Sequence, residues 1–280
     1  MKKDRKVYVH FSNGFGNNIF QFSAAKLLGT YHGCEVVMIP PFKGYYGLPF
    51  LKKTDIDIVE KINIDEHYKI NDSNFIKAFD KMYTKDFLLT GFFEDYRYYF
   101  KYKNLINSWL PEYENVNNND LVFHFRGTDR LVYKNEFAFK PKAESYVKAI
   151  EKFDFDKMHI ISGMPKWDHI TKEDLENMTF HLEVPKEKCV PLEDAVGYFN
   201  SIVDAIDKYR PTFTKRDVHD DFNFIRGSNN ILFEHGTLSW WGAFLSNAKK
   251  VGVYGPWRAW KGKRNKNLSQ IPLKTWFKWE

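Results

Sequence analysis

The segment His124-Phe125-Arg126-Gly127-Thr128-Asp129-Arg130 combines a cation, a hydroxyl and a carboxylate within a few residues. Arg126 can give a phosphate two parallel charge-assisted hydrogen bonds, and Thr128 can add a hydroxyl donor. Asp129 can hold the guanidinium in a fixed orientation. These residue types suit an anionic ligand, although an Arg126–Asp129 pair with only a structural role explains the spacing equally well.

The segment from Glu234 to Ala243 places hydroxyl residues and two tryptophans just after a short apolar run. Thr237 and Ser239 can cap a helix, or they can hold a diphosphate together with the N–H groups of the helix start. Trp240 and Trp241 can pack on a sugar ring or fill the core. For at least one of the two, core packing is the stronger expectation.

The loop Gly14-Phe15-Gly16-Asn17-Asn18 is a third candidate. Glycines let the backbone approach a ligand closely, and a following helix offers N–H donors. The spacing is not the G-x-G-x-x-G fingerprint of dinucleotide-binding proteins. A tight turn that needs positive φ at glycine is the alternative interpretation.

Alternating strands and helices must position these three segments. Val7, Val9 and Phe11 alternate with polar residues, which predicts a half-buried strand directly before the glycine loop. A helix over about Ile19 to Leu28 and a strand over Cys34 to Ile39 follow. The chain therefore opens with a β-loop-α-β unit.

The same order of elements returns in the second half of the chain. Strands are predicted at Leu121 to Phe125, Met158 to Ile161, Ile231 to Phe233 and Val251 to Tyr254, and helices at Pro141 to Phe153 and Leu238 to Leu245.

This alternation predicts an α/β fold of two doubly wound, Rossmann-like domains that face each other across a cleft. The asparagine-rich stretch from Glu112 to Asp120 is the predicted linker, so we place the domains at residues 1–115 and 116–280. Ligands of such sheets bind beyond the carboxyl ends of the strands, where the segments around Arg126 and Glu234 fall.

Composition narrows the class of protein. The 280 residues carry a formal net charge of +6 and are 43% hydrophobic, which excludes a disordered chain. Basic residues are spread among acids except at Lys249-Lys250 and Lys261-Gly262-Lys263-Arg264, so a solvated surface explains the charge better than nucleic-acid binding.

Cys34 and Cys189 are expected to be buried thiols. No stretch is apolar enough for a signal peptide or a membrane span, so a soluble, cytoplasmic protein is expected.

Four segments, in the same order, resemble the α-1,2-fucosyltransferase family and its wider fucosyltransferase superfamily. Gly14 to Gln21 is similar to the family's G-L-G-N-Q loop and following F-Q, and Gly91 to Phe100 is similar to its G-Y-F/W-Q-S-x-x-Y-F segment. His124 to Asp129 resembles H-x-R-R-G-D, and the T-D-R ending resembles the H-x-R-R-T-D-K of α-1,6-fucosyltransferases. The most specific match is His235 to Leu245, which is similar to S-N-S-S/T-F-S-W-W-x-A-W-L.

This resemblance extends from about residue 10 to residue 255. It implies a GT-B architecture, inversion at the anomeric carbon, a donor bound by the C-terminal domain and no need for a divalent cation. By resemblance Arg126 binds the donor phosphates and Asn17 faces the reacting sugars. Glu94 and Asp95 are candidate bases, although an exposed surface acid is the ordinary explanation for Glu94. The expected donor-binding residues are Gly14, Gly16, His124, Thr128, Asp129, Ser162, Gly163, Thr237, Leu238, Ser239 and Trp240.

The chain also departs from the family. Ile161 to Trp167 resembles the family's S-D-D-x-x-W, but Gly163 and Met164 stand where acids are expected. A carboxylate can accept from the two adjacent donors of guanine, whereas backbone groups and apolar surface suit the single N3–H of uracil. In addition, Gly127 replaces the second arginine of the family motif, and Glu94 replaces a glutamine.

The expected activity is therefore a transfer of xylose from UDP-xylose or of fucose from GDP-fucose onto an acceptor sugar of a glycan, without a further cofactor. Two other classes stay open. A non-catalytic carbohydrate-binding protein would use the aromatic residues but not Arg126. A metal-dependent transferase would use a D-x-D pair, which Asp55-Ile56-Asp57 and Asp154-Phe155-Asp156 both spell, the second of them before a predicted strand rather than after one.

Overall fold

The structure is a computed structural model that describes residues 5–12, 14–42, 56–80, 83–115, 118–134, 140–178, 185–255 and 273–280. Asn13, Asp55 and the basic run Lys261 to Arg264 lie outside these ranges. The chain divides into two compact units. Of the described residues, those up to Tyr113 form the first unit and those from Glu114 onward form the second.

The first unit is built on a parallel sheet of five strands. Their order across the sheet is β3-β2-β1-β5-β4, and all neighbouring pairs are parallel. The strands are β1 (Lys6–His10), β2 (Glu35–Ile39), β3 (Asp57–Ile58), β4 (Tyr68–Ile70) and β5 (Phe87–Leu89). The α-helices in the described part of this unit are α1 (Phe15–His32) and α2 (Lys103–Trp109).

Helix α1 carries much of the first unit's core. It begins at Phe15, earlier than the predicted start near Ile19, because the glycine loop itself enters the first helical turn. Gly14 caps the helix in an extended conformation with φ −77°, so this turn does not need the positive φ that the alternative interpretation proposed. At the other end, Gly33 adopts φ 63°, a left-handed conformation that glycine tolerates and that ends the helix before β2.

The second unit is built on a parallel sheet of six strands in the order β11-β10-β9-β6-β7-β8. The strands are β6 (Leu121–Phe125), β7 (Met158–Ser162), β8 (Thr212–Phe213), β9 (Asn230–Phe233), β10 (Lys250–Tyr254) and β11 (Trp276–Trp279). The α-helices are α3 (Asp129–Val132), α4 (Ala143–Ile150), α5 (Lys172–Glu176), α6 (Leu192–Ile206), α7 (Val218–Gly227) and α8 (Thr237–Leu245).

Strand β6 has helices on both of its faces. Phe123 and Phe125 pack on one side in a cluster that includes Tyr146 of α4 and Phe199 of α6. Side chains alternate along a strand, so His124 points to the other side, where it meets Ser239 of α8. The predicted α/β class is thus confirmed, and the arrangement is compatible with two Rossmann-like domains.

The order of strands fixes where ligands can bind. In the second unit the chain runs from β6 to β7 and β8 on one side and from β9 to β10 and β11 on the other. Neighbouring strands β6 and β9 therefore form a topological switch point, and open α/β sheets bind ligands beyond the carboxyl ends of such strands. In the first unit, β1 and β5 meet in a similar way between β2 and β4. We call these places the β6/β9 switch point and the β1/β5 junction.

Two smaller expectations differ from the structure. Pro141 precedes α4, which begins at Ala143, because the cap is Lys142. Cys34 and Cys189 are free thiols, and both are half-buried rather than buried.

Among the described helices, none is long and apolar enough to cross a membrane.

Candidate functional site

The loop after β6 places Arg126 at the β6/β9 switch point. Its Nη2 lies 3.5 Å from Oδ1 of Asp129, so the pair predicted from the spacing is present. Asp129 Oδ2 also lies 3.9 Å from Nε of Arg130. One carboxylate therefore neighbours two guanidiniums, and 37% of the Arg126 side chain remains exposed. An exposed cation held by an acid is well suited to bind a phosphate.

Thr128, in the same loop, adopts an unusual backbone conformation. Its φ is 56° and its ψ is −130°, which a β-branched residue rarely adopts. The Gly127 N–H donates to the Phe125 carbonyl at 2.9 Å, and Thr128 Oγ1 donates to Asp129 Oδ1 at 3.0 Å. Strained residues of this kind persist where the surrounding structure fixes them, and they are frequent at functional sites.

The loop after β7 packs against the loop that follows β6 and carries Arg126, which we call the arginine loop. A Cβ on Gly163 would lie 2.4 Å from Thr128 Cγ2, and a Cβ on Gly127 would lie 2.7 Å from Met164 Cγ. Met164 is fully buried, and its N–H donates to the buried Ser162 hydroxyl at 3.2 Å. The sequence suggested that Met164 offers apolar surface to a nucleotide base. In the structure its side chain is not available for that contact, because it fills the space beside Gly127.

Helix α8 begins directly after β9 and aims its N-terminus at the same edge of the sheet. Its cap, Gly236, adopts φ 156° and carries no side chain. Thr237 and Leu238 are half-buried in the first turn. The predicted donor-binding residues Ser239 and Trp240 are instead fully buried, and Trp240 stacks on Phe244 at 4.8 Å. We therefore assign these two side chains to the packing of α8 rather than to direct contact with a ligand.

His124 is the other predicted donor-binding residue that lies inside the protein. Its Nδ1 is hydrogen-bonded to the Ser239 hydroxyl. Burial, with a contribution from the Arg126 charge, lowers the pKa of His124 to about 3, so the imidazole is neutral. The pair joins β6 to α8 and so fixes the helix N-terminus relative to the arginine loop.

Glu234 is a buried acid at this site to which the sequence analysis gave no role. It follows β9 directly, it is 2% exposed, and it accepts a hydrogen bond from the Tyr146 hydroxyl. The backbone N–H of Arg126 also donates to its carboxylate. Burial raises the pKa of Glu234 to about 8, although these hydrogen bonds and the Arg126 and Arg130 charges oppose the rise. An acid placed directly after an apolar strand was the available sequence signal.

The β1/β5 junction of the first unit is held by a network of amides. Gln21 Nε2 donates to the Gly91 carbonyl at 3.0 Å and to the Ser12 hydroxyl at 2.9 Å. Asn18 Nδ2 donates to the Ser12 carbonyl and to Gln21 Oε1, both at 2.9 Å. The network joins the carboxyl ends of β1 and β5, and beside it lie exposed Gly14, buried Gly16 and half-buried Asn17.

The loop after β5 holds another non-glycine residue with positive φ, Phe93, at φ 56°. Both oxygens of Asp72 accept from this loop, from the Phe92 N–H at 3.0 Å and the Phe93 N–H at 2.7 Å. Glu94 follows, and it is 7% exposed rather than the surface acid that was the ordinary expectation. Asp95 binds Arg97, whose Nε donates to it at 2.8 Å, so this candidate base is already paired with a cation.

Replacing Asp72 by alanine tests this support. Hydrogen bonds to a charged acceptor contribute about 1.5–3 kcal/mol each, so we expect loss of these two to lower the free energy of unfolding of Asp72→Ala by about 3–6 kcal/mol. Chemical denaturation measures the change, with exposed Asp168→Ala as the control. An unchanged stability would mean that the Phe93 loop does not depend on this carboxylate.

One of the two D-x-D sequences lies at the opposite end of the second sheet from Arg126. Asp154-Phe155-Asp156 precedes β7, at the amino end of the strand, and both acids are exposed. Asp57 is described but its partner Asp55 is not. Within the described ranges, no group of three or more His, Cys, Asp or Glu side chains is arranged to hold a metal ion.

The chain was also compared with known proteins. No protein-family model matches it, and no match was found among curated proteins or among solved structures.

Proposed function

We propose that this protein is an inverting glycosyltransferase that moves a monosaccharide from a nucleotide-sugar onto an acceptor sugar of a glycan. The proposal includes the GT-B arrangement that the resemblance implies, with the donor bound by the second unit and the acceptor by the first. The donor is UDP-xylose or GDP-fucose.

The observation that carries the proposal is the position of Arg126. It is a partly exposed guanidinium at the β6/β9 switch point, oriented by Asp129 and placed at the edge where α8 begins. The N-terminus of a helix carries a partial positive charge and N–H donors. An arginine and a helix start at one sheet edge form a site whose charge and donors suit a diphosphate.

The chemistry follows from this placement. When the acceptor hydroxyl attacks the anomeric carbon, the bond to the donor diphosphate breaks and negative charge grows on the departing phosphate oxygen. Arg126 and the first turn of α8 would stabilise that charge, and donors fixed in advance are the most effective in this role. Glu94 would accept the proton of the attacking hydroxyl, held in place by the strained Phe93 loop.

The test is transfer in the absence of free metal ions. We expect release of UDP from UDP-xylose or of GDP from GDP-fucose, in the presence of a panel of glycan acceptors and excess EDTA. Arg126 and the α8 N-terminus supply the positive charge that a divalent cation supplies in D-x-D enzymes. Activity that EDTA abolishes and Mn²⁺ or Mg²⁺ restores would favour the metal-dependent alternative, and binding of glycans without any turnover would favour a carbohydrate-binding protein.

A further inference from the structure

Glu234 is buried next to Arg126, so the charge of an anion bound to Arg126 would act on its carboxyl group. The carboxylate accepts from the Arg126 backbone N–H, so it lies directly under the arginine loop. On its other side it accepts from the hydroxyl of Tyr146, and that hydroxyl lies 3.0 Å from the hydroxyl of Tyr198. This carboxyl therefore links the loop after β6 to buried Tyr146 on α4 and, through it, to half-buried Tyr198 on α6.

We propose that Glu234 is a positioning residue that takes up a proton when an anionic group binds at Arg126. The inference depends on the proposed function, in which the bound group is the diphosphate of the donor. Its consequence is that the β6/β9 switch point binds its anion more tightly when Glu234 is protonated.

The charges around Glu234 give the direction of this coupling. Arg126 lies on the loop after β6 and Arg130 on α3, and both favour the ionised carboxylate. The neighbouring neutral groups are Tyr146 on α4, Tyr198 on α6 and Tyr254 on β10, together with the buried His235, whose pKa is lowered by burial. Asp129, paired with Arg126, adds a nearby negative charge.

Without an anion, the two guanidiniums partly compensate the buried carboxylate, and its pKa is raised to about 8. A diphosphate at Arg126 adds negative charge and cancels that compensation, so the carboxylate becomes less favourable and the carboxylic acid more favourable. The proton comes from solvent and binds a Glu234 oxygen. The acid can still accept from the Arg126 N–H through its carbonyl oxygen, and it can donate to Tyr146, whose own proton can then point to Tyr198.

The experiment is isothermal titration at pH 8 in two buffers of different ionisation enthalpy, with UDP, GDP and inorganic sulfate as separate probes. We expect uptake of up to about half a proton per bound anion, because about half of Glu234 is already protonated at that pH. Between pH 7 and pH 9 the Kd should rise about fivefold if binding raises the pKa by about one unit.

Glu234→Gln keeps the shape and cannot titrate, so it should show no proton uptake and no such rise in Kd, whereas the exposed-residue control Glu173→Gln should behave like the parent protein. Sulfate has no titrating group in this pH range, so it tests the proton coupling of Glu234 separately from the proposed transferase function. Uptake with sulfate but no nucleotide binding would support the coupling and contradict the transferase. Binding without proton uptake, uptake that survives Glu234→Gln, or no binding of any anion would overturn the coupling. If the glutamine variant does not fold, the buffer dependence of the parent protein alone decides.

Discussion

Arg126→Ala should lower kcat/KM for transfer by about 10²- to 10³-fold while the protein remains folded. One preorganised donor to a developing anion contributes about 3 kcal/mol of transition-state stabilisation, and Arg126 is the exposed cation at the β6/β9 switch point. Arg126→Lys should recover little of the loss, because a lysine cannot reproduce two parallel hydrogen bonds. Steady-state release of the nucleoside diphosphate is the measurement.

Arg210→Ala provides the matched control for this change, since Arg210 is exposed and precedes β8 at the opposite end of the strands. It should retain normal turnover. An Arg126→Ala protein with a normal circular dichroism spectrum, a normal Tm and near-normal kcat/KM would remove Arg126 from the proposed mechanism.

Gly163→Ala should reduce turnover about 100-fold with only a modest loss of stability. The new Cβ would lie 2.4 Å from Thr128 Cγ2, so Thr128 must move, and its strained backbone connects directly to Asp129. A displacement of about 1 Å in a group that orients a catalytic residue can cost about 10²-fold in rate. The overpacking itself should cost about 1–3 kcal/mol of folding free energy.

Gly197→Ala is the control for that substitution. Gly197 lies within α6, and a Cβ there would meet no atom within 4 Å. Alanine should stabilise the helix slightly and leave turnover unchanged. Normal turnover of Gly163→Ala would show that the loop after β7 does not set the geometry of the arginine loop.

Much of the fold followed from hydrophobic periodicity. The strand from Leu121 to Phe125 was predicted with its observed bounds, and those at Met158 and Asn230 differ by a single residue, because each is a short, mostly apolar run between polar segments. Strands such as Asp57–Ile58 and Thr212–Phe213 are too short to show any period. They are strands only because longer neighbours pair with them.

Burial within the candidate site was harder to predict. The sequence indicated Arg126 and Asp129 as partners, since an acid so close along the chain can reach the guanidinium. It did not indicate that Ser239 and Trp240 point inward, because a helix that is apolar on all sides gives no direction to its faces. The burial of Glu94 and Glu234 depends on segments that are distant in sequence, the loop of Asp72 and the helix of Tyr146 among them.

The positive φ angles of Phe93 and Thr128, two of the three described non-glycine residues with positive φ, could not be predicted from their residue types. Phe93 and Thr128 both adopt φ 56°, although neither residue type favours that region. Each is held by contacts from another strand-end loop, to Asp72 in one case and to Met164 in the other. One lies beside the β1/β5 junction and the other at the β6/β9 switch point, which are the two places where the proposed function needs fixed side chains.

Thermal unfolding with UDP, GDP, CMP and ADP, each in excess, tests the central claim most directly. A nucleotide at a hundred times its Kd stabilises the folded state by about 2.7 kcal/mol, which raises the Tm of a chain of this size by several degrees. We expect UDP or GDP to produce that shift in the parent protein, and to produce little or none in Arg126→Ala. The effective nucleotide identifies the donor, UDP for UDP-xylose and GDP for GDP-fucose. No shift with any nucleotide, or an equal shift in Arg126→Ala, would contradict a nucleotide-sugar site at Arg126.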